Sequence, residues 1–86
     1  MVPKRKTITT HQMNDEELAL VDEQNNCVLL LNNVGAAVWY LIDGNRSVDA
    51  ICESIVQTLP VPNDRVKQDV ESFVRELQAK HLVEFL

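Results

Sequence analysis

Apolar residues change their period partway along the chain. Between Thr7 and Leu31 they fall in short β-branched or alternating runs; from Val34 to Leu77 they recur three and four positions apart. The first pattern belongs to strands and the second to amphipathic helices. Residues 7–10 are all β-branched and predict a short strand, with residues 11–16 as a polar loop. Residues 17–22 predict a second strand. The polar 23–26 segment ends in two Asn residues, which tolerate positive φ and suit a hairpin turn. Residues 27–31 are the return strand, Cys27, Val28, Leu29, Leu30 and Leu31. It is apolar on both faces, so either both faces are covered or one awaits a partner.

Three helices are expected after it. Asn32 or Asn33 can cap the first, over 34–42, with Val34, Ala37, Val38, Leu41 and Ile42 as its stripe and Trp39 beside it. Gly44 suits a left-handed position beyond its end. Ser47 caps the second, whose stripe is Val48, Ile51, Cys52, Ile55, Val56 and Leu59. Pro60 and Pro62 stop it. Asn63 or Asp64 caps the third, with a stripe of Val66, Val70, Phe73, Val74 and Leu77. Residues 81–86 are a final short strand or an extended tail. The predicted order β-β-β-α-α-α is an α+β, winged-helix-like module: a three-stranded antiparallel sheet followed by three helices.

Length and charge narrow what such a module does. Eighty-six residues allow one domain and one modest core. The expected division is a flexible basic tail over 1–6 and a single domain over 7–86. The chain carries −5; its first six residues hold +3, so the remaining eighty carry −8. An acidic body repels phosphate backbones and anionic membranes, so neither nucleic acid nor a membrane is an expected partner. A winged-helix DNA-binding regulator is the alternative reading. Its reading helix would be the third, where Arg65, Lys67, Arg75 and Lys80 are balanced by Asp64, Asp69, Glu71 and Glu76. A helix without net positive charge is a poor reader of DNA.

Candidate chemistry is sparse. Gly35 and Gly44 stand alone, so there is no dinucleotide fingerprint or P-loop. His11, Cys27, Cys52 and His81 lack metal-ligand spacing. The two cysteines read as reduced, buried small hydrophobes of a cytoplasmic protein. No apolar h-region follows the basic start, and no apolar run is long enough to span a bilayer. No catalytic residue, cofactor or metal is expected, and the free chain is expected to be a monomer.

An ordered set of residues carries a resemblance. Leu30-Leu31-Asn32-Asn33-Val34-Gly35-Ala36-Ala37-Val38-Trp39 runs into Leu41-Ile42-Asp43-Gly44. Arg46-Ser47-Val48-Asp49-Ala50-Ile51 follows, then Asp69-Val70 with Phe73 and Leu77, and a terminal Leu82-Val83-Glu84. From Glu17 onward the chain resembles the PqqD-like family, the peptide-recognition elements of ribosomal peptide natural-product pathways. The family usually has Gly before the final Leu, where this chain has His81.

The resemblance implies a non-enzymatic protein that binds the leader segment of a precursor peptide. It would present that peptide to a modifying enzyme or leader peptidase acting in trans. Lasso-peptide, quinone-cofactor (PQQ) and radical SAM pathways all remain open, the lasso type being slightly favoured. The leader would add as an antiparallel strand along Cys27, Val28, Leu29, Leu30 and Leu31. A groove walled by the third helix would bring in Val66, Asp69, Val70, Phe73, Val74 and Leu77. Phe73 and Leu77 would serve mainly the core, and Val66, Val70 and Val74 both core and groove. Asp69 would contact a polar group of the leader, or else be solvated or capping. Strand addition suits an edge whose N–H and C=O groups are unpaired.

Overall fold

The structure is a computed structural model and describes residues 2–86. Its elements are β1 (Pro3–Arg5), β2 (Thr9–Asn14), β3 (Glu17–Asp22), β4 (Cys27–Leu31), α1 (Asn33–Leu41), α2 (Val48–Thr58), α3 (Asn63–Ala79) and β5 (Val83–Phe85). β2, β3 and β4 form one antiparallel sheet in that order, and β1 pairs with β5 in a separate antiparallel ribbon. The fold is α+β, with the three-stranded sheet and three helices the sequence pattern predicts and two short strands added at the ends.

The hairpin β3–β4 follows from its turn. Asn26 takes φ 51, and Asp22 holds the loop by accepting from the Asn25 side chain at 2.8 Å. The register Leu18↔Leu31 to Asp22↔Cys27 puts Leu18, Leu20 and Leu31 on the inner face, each at most 4% exposed. The first strand is displaced from its expected place. It runs over Thr9–Asn14 rather than 7–10 and includes most of the stretch that reads as loop. Its polar residues qualify because β3 supplies a ladder as far as Asn14↔Glu17. Only Asp15 and Glu16 are left for the turn, where the Glu16 N–H donates to Asn14 Oδ1 at 2.7 Å.

The N-terminal segment departs most from expectation. Residues 1–6 read as a flexible tail; Met1 lies outside the described residues, but Pro3–Arg5 is the strand β1. It pairs with β5 in the register Pro3↔Phe85 to Arg5↔Val83, and Pro3 is fully buried. Nothing in a Pro-Lys-Arg run signals a strand; its ladder comes from the other end of the chain, with a further antiparallel bridge from Lys4 to Asp43 after α1. Arg5 has a second task. Its guanidinium Nη1 donates to the carbonyls of Tyr40 at 3.2 Å and Ile42 at 2.8 Å. It thereby caps α1, which has no basic residue in its last turn.

The helix starts differ in how they are capped. Asn32 Oδ1 accepts from the Gly35 N–H at 2.8 Å, and Ser47 Oγ from the Ala50 N–H at 3.1 Å. α3 has Pro62 at its N-cap and no side-chain cap bond, so neither Asn63 nor Asp64 caps it. Both lie inside the first turn, where the Asp64 charge complements the helix dipole.

The end of α3 explains the His81 substitution. His81 takes φ 60, its N–H bonds the Gln78 carbonyl at 3.0 Å, and the Leu82 N–H bonds the Leu77 carbonyl at 2.9 Å. This is a Schellman closure with Leu77 and Leu82 buried beneath it. His81 adopts the left-handed backbone that Gly would adopt without a Cβ penalty.

The core lies between the inner sheet face and the helices. Ile42, Ile51 and Leu77 are completely buried; Trp39, Ile55, Val74 and Leu82 are nearly so. Trp39, beside the expected stripe, is a central core residue of α1, as its size and apolarity predict, while Val34, expected in the stripe, is exposed. β5 is the strand alternative for the C-terminal segment, with Val83 buried against α3.

Candidate functional site

One edge of β4 pairs with β3, and among the described residues no strand pairs with the other. Alternate β4 side chains differ sharply in exposure. Val28 and Leu30 are 64% and 56% exposed, Leu31 is buried, and Cys27 and Leu29 lie between. The doubly apolar strand therefore has one covered face and one uncovered.

Beside this open edge lies a groove of about 600 Å³. Leu29, Leu30 and Leu31 form its strand side. The opening turn of α1 contributes Asn32, Val34 and Gly35, and α3 supplies the facing wall with Arg65, Val66, Asp69, Val70, Phe73 and Glu76. Val38, Ile55, Val61 and Pro62 complete the lining. On α3 the wall positions are spaced three and four apart, which places them on one side of the helix. Val66 and Val70 are buried at its inner margin, while Arg65, Asp69 and Glu76 stand exposed on the rim. Gly35 faces Leu31 and Phe73 across the groove: a Cβ there would sit 3.4 Å from Leu31 Cβ and 3.7 Å from Phe73 Cζ, ordinary contact distances.

Of the residues expected at a peptide site, Leu29, Leu30, Leu31, Val66, Asp69, Val70 and Phe73 line this groove together. Cys27 and Val28 belong to the same strand beyond the groove. Val74 and Leu77 do not reach it. They are 1% and 0% exposed and point into the core, so the helix stripe divides. Its first half serves core and groove, its second half the core alone. Phe73, expected mainly in the core, is half-buried and lines the groove.

The residues missed by the sequence reading are Asn32, Val34, Gly35, Val38, Ile55, Val61, Pro62, Arg65 and Glu76. Those on α1 and α2 reach the groove through tertiary packing, which leaves no periodic signal. Arg65 and Glu76 do carry one: each lies three or four positions from a groove residue named from the sequence, Arg65 from Asp69 and Glu76 from Phe73.

Arg65, Asp69 and Glu76 are the charged lining residues, and among the described residues none forms an ion pair. The site thus offers unpaired backbone groups along β4, apolar pockets within, and open charges on one rim. Its equipment suits holding an extended peptide. Elsewhere, Cys52 is a packed core thiol whose pKa burial pushes up, so it stays protonated and unreactive. Among the described residues, no group of three or more His, Cys, Asp or Glu side chains is placed to hold a metal ion. No described helix is long and apolar enough to cross a membrane.

Comparison with known proteins bears on this geometry. A family model described as coenzyme PQQ synthesis protein D (PqqD) matches residues 17–83. A PqqA binding protein of Rhizobium meliloti (strain 1021) is 24% identical over 58 residues. That match covers 67% of this chain and 59% of the relative, so the chain spans less than two thirds of that protein. Among solved structures, TbiB1 in complex with the TbiA(beta) leader peptide superposes with a TM-score of 0.79 at 25% identity, over 96% of each chain. A lasso peptide synthetase B1 complexed with its leader peptide gives the same TM-score at 15% identity, over 99% of this chain and 100% of the other. The second likeness is one of fold.

Proposed function

The chain belongs to the PqqD family, and we propose from that premise that it binds the leader segment of a ribosomally made precursor peptide. The leader adds as an antiparallel strand to β4, with alternate side chains seated in the groove against α3. The protein then presents the precursor to a modifying enzyme or leader peptidase in the cytoplasm and performs no catalysis itself. The observation that carries this reading is the coincidence of an unpaired apolar edge with an apolar groove beside it. Backbone pairing supplies sequence-tolerant affinity, and pockets for alternate side chains supply selectivity. Support comes from the relatives, whose names describe a PqqA binder and complexes with leader peptides.

The groove set is Leu29, Leu30, Leu31, Val66, Asp69, Val70 and Phe73, with Cys27 and Val28 continuing the pairing edge. The test is amide-shift mapping with synthetic leaders of precursor peptides encoded beside the gene. Shifts should concentrate on β4 and the groove side of α3. Shifts confined to α2 or the β1–β5 ribbon would overturn the strand-addition model.

A further inference from the structure

The groove wall on α3 is not electrically neutral along its length. It reads Arg65, Asp69, Glu76 from the N-terminal end, on one side of one helix. Some charged side chains elsewhere in the molecule are held by internal partners. Lys6 pairs with Asp22, Arg46 with Asp43 and Lys67 with Asp49, while Arg5 caps α1. The three rim charges have no such partner among the described residues, yet they border the apolar trough that a peptide would fill.

Resting on the leader-binding reading, we propose that the peptide this groove selects carries a basic residue that lies against Asp69 and Glu76. An acidic residue precedes or follows it on the same side of the strand, against Arg65. Spacing on the two elements sets the separation. Arg65 and Asp69 are four helical residues apart, about 6 Å along the axis, and Asp69 and Glu76 about 10 Å. An extended peptide advances about 3.3 Å per residue and repeats a face every second residue. The acidic and basic side chains are therefore about two to four residues apart, and a basic side chain set between Asp69 and Glu76 lies in the field of both carboxylates.

Physics assigns these charges to selection more than to raw affinity. Rim pairs are solvated and individually weak. A mismatched peptide, however, places like charges side by side and is rejected. The −8 carried by residues 7–86 adds a long-range field that favours approach of the basic segment.

The experiment is selection from a displayed library of random twelve-residue peptides. The wild-type protein is one bait and the double variant Asp69→Lys/Glu76→Lys the other, each first shown folded by circular dichroism. Binders are kept if they shift the amides of β4. Wild-type binders should share Lys or Arg at one position relative to their apolar anchors, and variant binders should carry Asp or Glu there. A wild-type-selected peptide should lose about tenfold in affinity to the double Lys variant and about threefold to Asp69→Asn/Glu76→Gln. Both losses should shrink at about 1 M salt, where exposed pairs are screened. Pools that shift β4 amides but show no charge preference, or the same preference with both baits, overturn the proposal and leave the groove reading intact. Pools in which no peptide shifts β4 amides overturn both.

Discussion

β2 and β4 are the two outer strands of one sheet, yet their edges are built for opposite ends. β2 is exposed throughout and carries Thr9, Thr10, His11, Gln12 and Asn14, with its register broken between Gln12 and Asn14 around Met13. Polar side chains and a bulge make an edge a poor template for another strand. β4 is apolar from Cys27 to Leu31 and keeps one register throughout, with the groove at its side. The contrast teaches that an open edge is not in itself a binding site. An unbroken register, apolar side chains and a neighbouring trough distinguish the edge that can accept a strand from the edge that is protected against one.

The largest effect should come from the element that walls the groove. Val74 lies on the core face of α3, so Val74→Asp places an unpaired charge in the interior. That costs about 4 kcal/mol, a large share of a small domain's stability. Thermal denaturation should show a loss of cooperative folding rather than a folded protein with a weakened groove. A folded Val74→Asp variant that only binds less well would put Val74 in the groove and redraw the division of the helix.

Next in size is the direct contrast of the edges. Leu30 is more than half exposed, so Leu30→Asp should leave the fold intact. It should weaken a groove-binding peptide at least tenfold, about 1.4 kcal/mol. Thr10→Asp on β2 should leave affinity within about twofold, since an exposed substitution far from the contact contributes little. Equal losses from the two, read by calorimetric titration, would erase the distinction between the edges.

A smaller effect concerns the far end of the groove wall. His81→Gly removes a Cβ from the left-handed position that closes α3 and should stabilise the chain by about 1 kcal/mol. The melting temperature should rise by about 4–8 °C for a domain of this size, with peptide affinity unchanged. A lower melting temperature would mean that the His81 side chain contributes more than its backbone costs.

The smallest and most conditional effect is acid sensitivity of the hairpin that carries β4. The Asn25 side chain donates to Asp22 and lowers its pKa below the ordinary 3.8; burial opposes this and Lys6 adds to the lowering. A carboxylate with a depressed folded-state pKa stabilises the fold above its unfolded value, and the contribution is lost as pH falls through the folded value. Melts of the wild type and Asp22→Asn should therefore differ by a constant gap near neutral pH. The gap should close only below the ordinary carboxylate range. A gap that is the same at all pH values would assign the effect to packing.

The sequence by itself determined the hairpin, the three helices and the strand that offers an edge. Those features are local: Asn26 at a turn, Asn32 and Ser47 as caps, Pro60 and Pro62 as stops, and apolar spacings with a definite period. It also determined which face of α3 is apolar. Only the tertiary structure decided how that face is shared. Val66, Val70 and Phe73 border the groove while Val74 and Leu77 are sealed in the core, because β5 and α2 cover only part of the helix. The same holds for β1, whose ladder is supplied by a strand some eighty residues away, and for Arg5, whose acceptors are carbonyls of α1. Periodicity reports how a segment can bury itself. It carries no record of which distant segment will cover it, and that covering is what left β4 open and α3 facing it.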